Sequence, residues 1–438
     1  WLGGFVSTDC PKGSFNAHWF AFFNALTFQI IIGTPLFLYA KSIGASSTVL
    51  GLLAAATPLM TMLQLPAAKY LPVFGYRRFV LMGWGARTVI IFFVALIPLL
   101  GFLDNATKLT LLVFCILVFN MMRGAASAAW MPWIALLIPE EARARFLSRD
   151  QIFMYGGSLL ALLVSALMIG GEVSVYEFSL VFLLSGLAGG VALYFIKKIP
   201  DVHAPEAMEK SAVAVPWRTI FFYPPFFALL LFNMLFVFEV GSLGVFTVQY
   251  LRDLPGFNDS VVLYLSCLSF VGSLLVLPFV GRLLDRFGNK VVLFVSLLLF
   301  GSVILGWFCL AAGLLSPNSG VVFMVNLLGG IAGAGFNVAN SRMAFAVMPQ
   351  MGRDHFFALF SVITSLGLGA SPVLWGISLD YIGAFEVVTG AFHWHCHSIY
   401  FAVLFGLNIL TLLQVRRLHE RVAENGDAQV ADSFKEAV

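Results

Sequence analysis

The sequence predicts an all-α integral membrane protein of twelve spanning helices, built as two pseudo-symmetric bundles of six. Three observations carry that prediction. First, 60% of the 438 residues are apolar and only 11% are charged, against about 25% charged in an ordinary soluble domain. Mean hydropathy is +0.94. So little charge cannot cover a water-facing surface of this size, which excludes a soluble enzyme, a nucleic-acid binder and a disordered chain. Second, the apolar runs last about 20 residues, the length a helix needs to cross a bilayer. Barrel strands would alternate polar and apolar over about ten residues. Third, the second half of the chain repeats features of the first.

In chain order the runs fall at about 17–40, 47–68, 79–103, 109–136, 151–171 and 175–196, then 222–250, 260–280, 290–314, 320–348, 356–379 and 398–415. Their ends are set to within about four residues. The first run is longer than the apolar part of a leader and eleven more follow, so it reads as a span. The one long polar stretch between runs, at 197–218, contains Lys197, Lys198, Asp201, Glu206, Glu209, Lys210 and Arg218. It divides the chain into an N-terminal bundle at 1–196, a linker at 197–218, a C-terminal bundle at 219–415 and a polar tail at 416–438.

Lysine and arginine set the orientation, because short loops rich in them stay on the cytoplasmic side. With both termini on one side, that side holds nineteen of the 25 Lys and Arg. The other side holds Lys41, Lys108 and Arg252, and Arg87, Arg123 and Arg342 fall inside spans. Both termini are therefore expected in the cytoplasm, with a bacterial inner (plasma) membrane as the setting. The net charge of +3 is too small to signal a polyanion partner. The five cysteines are scattered, mostly in apolar runs, and read as small core residues.

The repeat has an offset of about 210 residues. Leu65-Pro66 at the end of the second run matches Leu277-Pro278 in the eighth, and Gly75 in the next loop matches Gly288. After the fourth run comes Pro139-x-x-x-Arg143-x-x-Phe146, and after the tenth Pro349-x-x-x-Arg353-x-x-Phe356. Parallel repeats of this kind build transporters with the substrate site between the halves. Between the eighth and ninth runs the chain reads Gly281-Arg-Leu-Leu-Asp285-Arg286-Phe-Gly288-Asn289-Lys290. Here it resembles the major facilitator superfamily, whose loop signature is Gly-x-x-x-Asp-Arg-x-Gly-Arg-Lys; only Asn289 departs from it. The resemblance covers about residues 15–415. It implies two six-helix bundles that rock around a central cavity lined mainly by helices 1, 4, 7 and 10.

The loop has a physical logic. Glycines permit a tight turn and close helix approach. The carboxylate can cap a helix N-terminus, and the arginines hold it and meet anionic headgroups. In the first half the motif is degraded: Ala68, Pro72 and Val73 stand opposite Gly281, Asp285 and Arg286, and Pro132 stands opposite Arg342. This predicts a one-sided cytoplasmic gate of Gly281, Asp285, Arg286, Gly288 and Arg342, with Arg143 and Arg353 in the flanking loops. Asp285 is expected to pair with Arg342 and to dock near Arg149–Gln151. The alternative is that Arg342 merely reaches for the interface.

A charge in the hydrocarbon core costs at least about 2.5–3.5 kcal/mol, so it usually serves a function. Glu239 sits within the seventh run. Removal from water favours a neutral carboxyl, as proton coupling requires; a structural hydrogen bond to a neighbouring helix is the alternative. Arg123 lies in the fourth run near Asn120, followed by small residues that let a ligand or helix approach. It reads as a ligand for a substrate carboxylate or as a partner of Glu239. Arg87 reads as reaching toward the interface, and His18 as interfacial. Asn24, Gln29, Asn233, Asn326, Asn337 and Asn340 fall on helices expected to line the cavity, though each alone also serves as helix–helix glue. His393-Trp-His395-Cys396-His397 lies just before the last run. On a helix His393 and His397 would share a face with His395 turned away. The cluster reads first as interfacial aromatics and second as a metal site, so no metal is assigned.

The function this supports is secondary active transport of a small organic solute by alternating access, with a lean to organic anions and to proton coupling. No Gly-x-x-x-x-Gly-Lys-[Ser/Thr] loop exists to bind ATP. An exporter of lipophilic drugs or lipids is the runner-up. Against it, the drug-exporting branch carries Gly-x-x-x-Gly-Pro in helix 5, and Met154–Val164 here has no proline. A metal-dependent membrane enzyme and a non-transporting receptor are remote. The expected partners are a small-molecule substrate, protons and lipids, with no cofactor, no nucleic acid and a monomeric chain.

Overall fold

The computed structural model describes residues 13–170, 175–201, 221–347 and 353–418. Twelve helices there are long and apolar enough to cross a membrane. They are α1 (Asn16–Ser42), α2 (Ser47–Tyr70), α3 (Tyr76–Leu99), α4 (Asn105–Leu137), α5 (Glu140–Met168) and α6 (Val175–Lys198). The second set is α7 (Pro224–Asp253), α8 (Asp259–Phe287), α9 (Asn289–Ala311), α10 (Ser319–Val347), α11 (Arg353–Ile382) and α12 (Cys396–Gln414). Each overlaps one run read from the sequence. Most of the linker and the tail lie outside the described residues.

The chain divides into two compact units. Unit 1 holds Trp1–Ala45, Met60–Lys210 and Asn258–Tyr264; unit 2 holds Ser46–Leu59, Ser211–Phe257 and Leu265–Val438. The first stretch of α2 thus groups with α11. There Asp380 accepts the backbone N–H groups of Ser47 and Thr48, both at 2.8 Å, and so caps the helix.

The first helix of each set is broken at an equivalent place. α1 stops at Ile31 and restarts at Thr34, where Pro35 has no N–H to continue the ladder. α7 stops at Val240 and restarts at Leu243. The break frees the Phe238 carbonyl, which accepts Ser371 Oγ at 3.1 Å and Trp375 Nε1 at 3.0 Å. Irregular backbone at this depth persists because neighbouring helices satisfy it.

The turns also repeat. Gly75 and Gly288 have φ of 72° and 82° and begin α3 and α9, a region open to glycine alone. The Arg-x-x-Phe parts of the two Pro-x-x-x-Arg-x-x-Phe segments, expected in loops, belong to the first turns of α5 and α11, and Phe146 and Phe356 are both buried in their units' cores. At the N-terminus of α4, Asp104 accepts Thr107 Oγ1 at 2.6 Å and its N–H at 3.2 Å. The Thr107 hydroxyl holds this carboxyl below the usual carboxylate range.

One element departs from an all-helical chain. Strands β1 (Glu386–Thr389) and β2 (Phe392–His395) form an antiparallel hairpin with Glu386 opposite His395. Valine, threonine and aromatic residues favour strands, and Gly390, at φ 62°, supplies the two-residue turn. The helical register assumed for His393–His397 is therefore wrong. His393 and His395 share a strand face, and α12 starts only at Cys396.

Candidate substrate and coupling site

Unit 1 buries a cationic cluster built from four helices. Arg87 on α3 is 1% exposed. Its Nη2 donates to Asn24 Oδ1 on α1, which also accepts Trp84 Nε1 at 3.1 Å. The guanidinium stacks over Trp84 and Phe119, 4.8 and 5.5 Å from the ring centres. Its Nε is buried with no hydrogen-bond partner. Arg123 on α4 donates to Thr61 at 2.8 Å and lies 5.1 Å over Phe28 of α1. Arg87 was expected to reach for the interface. It turns inward instead, because Asn24 and two aromatic faces offer it a better seat than a longer reach to water.

Asn120 is fully buried and donates to the Ile116 carbonyl of its own helix at 3.0 Å. Gln29 is half-buried and lies along the backbone where α1 breaks at Gly33. His18, near the start of α1, is buried with Nδ1 3.4 Å from Asp150. Phe146 and Phe153 pack against its ring.

Unit 2 buries a carboxyl. Glu239 on α7 is 0% exposed, and its Oε1 accepts Asn408 Nδ2 of α12 at 2.7 Å. The same amide reaches the Leu297 carbonyl of α9 at 3.3 Å. Glu239 thus sits between α7, α9 and α12, with the hydrogen bond to a neighbouring helix that the sequence leaves open as the alternative to proton coupling. Helical rotation sets it apart from Asn233. Asn233 faces Asn340 of α10 through reciprocal amide bonds of 2.7 and 3.3 Å. Six residues on, a side chain has rotated about 240° away. Asn326 donates to its own helix, and Asn337 is exposed.

The repeat shows which polar groups are peculiar to each half. Thr27 and Ser185 tie α1 to α6 through hydroxyl–carbonyl bonds of 3.1 and 3.0 Å; at an offset of 212 residues Thr27 corresponds to Glu239. Asn24 and Arg87 correspond to Phe236 and Phe300, whose rings lie 5.5 Å apart. Among the described residues the buried arginine belongs to the first half and the buried glutamate to the second.

At the α8–α9 turn, Arg342 Nη1 donates to Asp285 Oδ1 at 2.8 Å with both side chains exposed. Gly288 takes the positive φ of the turn, and Arg286 lies 5.1 Å over Phe287. Gly281 differs from its expected role: a Cβ there would meet open space, so no close helix approach requires glycine. The side chains of Arg143 and Arg353 lie outside the described residues.

The hairpin gathers the histidines. His393 Nε2 is 2.7 Å from Glu386 Oε1, and His395 Nε2 is 2.9 Å from the Ala311 carbonyl. Burial pushes His395 below the ordinary imidazole range, with the Ala311 carbonyl acting the other way. Cys396 Sγ lies 3.3 Å from His397 Nδ1.

Comparison with known proteins decides the family. The Major Facilitator Superfamily model matches residues 18–272 and 250–437. The chain belongs to the major facilitator superfamily. Solved structures share its fold. The nucleoside transporter NupG, in a mutant form, aligns with a TM-score of 0.71 at 12% identity over 92% of this chain and 99% of that one. A D-xylose-proton symporter gives 0.70 at 14% identity, covering 93% and 97%. The inward-open xylose transporter XylE from E. coli gives 0.68 at 12% identity, covering 96% and 98%. No curated protein sequence matches the chain. As a superfamily member it is a membrane transporter with twelve spans. Sequence reasoning had isolated Glu239, Arg123, Asp285 and Arg342, but it missed Asn408 and the inward turn of Arg87. A lone amide amid the apolar residues of α12 was the available signal for Asn408.

Proposed function

We propose that the protein is a secondary active transporter of a small organic anion, working by alternating access and coupled to protons through Glu239. One observation carries the anion reading. Arg87 is buried with its Nε unbonded, and among the described residues no carboxylate lies within ion-pair distance of it. A buried cation without a counter-charge costs several kcal/mol, and a substrate carboxylate or phosphate would offset that cost. Arg123 and Asn24 supply further donors within the same cluster. Glu239 supports the coupling reading, since a carboxyl met by a neutral amide can gain or lose a proton as α7 and α12 shift. Asp285 and Arg342 act as a cytoplasmic gate, with both termini on the cytoplasmic side of a bacterial inner membrane. The working unit is one chain within its lipids, and it catalyses no covalent chemistry.

The test is uptake into proteoliposomes under an imposed pH gradient, with carboxylates, phosphorylated metabolites, sugars and nucleosides as candidates. Anions should be carried, and Arg87→Gln should lower kcat/KM about 10- to 100-fold, the worth of a charge-assisted hydrogen bond. Glu239→Gln should keep substrate exchange and lose accumulation driven by the gradient. Uptake of a neutral sugar or nucleoside that Arg87→Gln leaves unchanged would overturn the anion reading.

A further inference from the structure

We propose that His395, Cys396 and His397, at the junction of β2 and α12, form a binding site for a divalent cation of the zinc class. The site is separate from the buried polar clusters, and the transport reading makes no use of it.

Geometry comes first. One ligand atom from each of the three residues lies within 4.8 Å of the other two. A tetrahedral ion with bonds of about 2.0–2.3 Å sets its donors roughly 3.3–3.6 Å apart. Cys396 Sγ and His397 Nδ1, at 3.3 Å, already have that spacing. Three consecutive residues rarely converge, because strand side chains alternate between faces. Here they do, because the backbone is extended at His395 and turns helical at Cys396.

The surroundings prepare the ligands. A carbonyl only accepts, so the 2.9 Å contact with Ala311 places the His395 proton on Nε2. Nδ1 then presents its lone pair. Histidines that bind metal commonly donate their other ring N–H to a backbone carbonyl in this way. That lone pair now caps α12, accepting the His397 N–H at 3.3 Å and the Ser398 N–H, and a bound ion takes it over from these helix N–H groups. The junction is firmly held. His395 N–H donates to Ser398 Oγ at 2.8 Å, and His393 N–H donates to the Ala312 carbonyl at 2.9 Å.

Access is open. A cavity of about 480 Å³ is lined by Tyr250, Asp253, His393, His395 and His397. It leaves room for a fourth ligand, which is water or the outer His393 once that ring leaves Glu386. One thiolate and two imidazoles select zinc-like ions over magnesium or calcium. On binding, the Cys396 thiol releases its proton to water and its sulfur bonds to the metal.

The test uses tag-free, full-length protein stripped with a chelator. Calorimetric titration with Zn²⁺ should show one equivalent bound. Co²⁺ in place of Zn²⁺ should give a thiolate-to-metal charge-transfer absorbance. Cys396→Ser should abolish that absorbance and weaken Zn²⁺ binding about 100-fold, while its metal-free melting temperature stays that of the parent chain. His397→Ala is the second variant, read by the same loss of affinity, and covers the case in which Cys396→Ser does not fold. Absence of Zn²⁺ binding by the parent chain, or absorbance that persists in Cys396→Ser, would overturn the proposal.

Discussion

A carboxyl shut inside a helical bundle needs a donor, and Glu239 has one in Asn408. The asymmetry of that bond makes a prediction. Asn408→Leu removes the donor and leaves the carboxyl buried, which costs about 1–3 kcal/mol. Glu239→Gln keeps an oxygen that accepts from Asn408, so it should cost less. Thermal melting of the two variants in detergent checks the order, and a less stable Glu239→Gln would refute it. The acid itself was legible in the sequence, because a charge at membrane depth is an anomaly in any span. Its partner was not. Which residue of α12 faces Glu239 depends on the relative rotation of two helices, and apolar all-round helices carry little pattern to fix it. Arg87 shows the same limit from the other side. Its depth within α3 is plain, but its inward turn rests on Asn24 and Phe119 from other helices.

Between elements, glycine decides how closely helices pack. A Cβ at Gly124 on α4 would strike the Met60 carbonyl of α2, and one at Gly330 on α10 would strike the Ser269 carbonyl of α8. The two contacts join the corresponding helix pair of each half, and Gly157, set against Phe22, and Gly367, set against Met234 and Val237, are equivalent in the repeat. Without a hydrophobic force between helices in lipid, such close backbone contact is what holds them together. Gly330→Leu should therefore destabilise the protein by about 1–3 kcal/mol, whereas Gly281→Ala, facing open space, should melt with the parent chain. Equal melting of Gly330→Leu and the parent would show that α8 and α10 do not rely on this contact. The spans were legible because their length and apolarity are local properties. The breaks in α1 and α7 and the hairpin before α12 were not. Four-residue strands leave too short a pattern, and the Phe238 carbonyl freed by the α7 break is satisfied only by Ser371 and Trp375, far along the chain.

For the molecule as a whole, the distribution of Lys and Arg makes a claim that packing within either unit does not address. The turn holding Arg282, Arg286 and Lys290 and the basic end of α12, with Arg416 and Arg417, fall on one side of an even set of spans. The segment 312–318 between α9 and α10 carries no charge and falls on the other side, together with the β-hairpin. Short loops rich in Lys and Arg resist translocation, so the first side should remain cytoplasmic. Alkaline phosphatase, which folds only outside the bacterial cytoplasm, reads this directly when fused at successive turns. A fusion after Pro317 should be active, and fusions after Asn289 or Val438 inactive. The reverse pattern would place the Asp285–Arg342 gate on the outer face and turn the histidine cavity to the cytoplasm. The expected pattern opens that cavity to the external medium, where a zinc-class ion would meet it before any transported solute crosses.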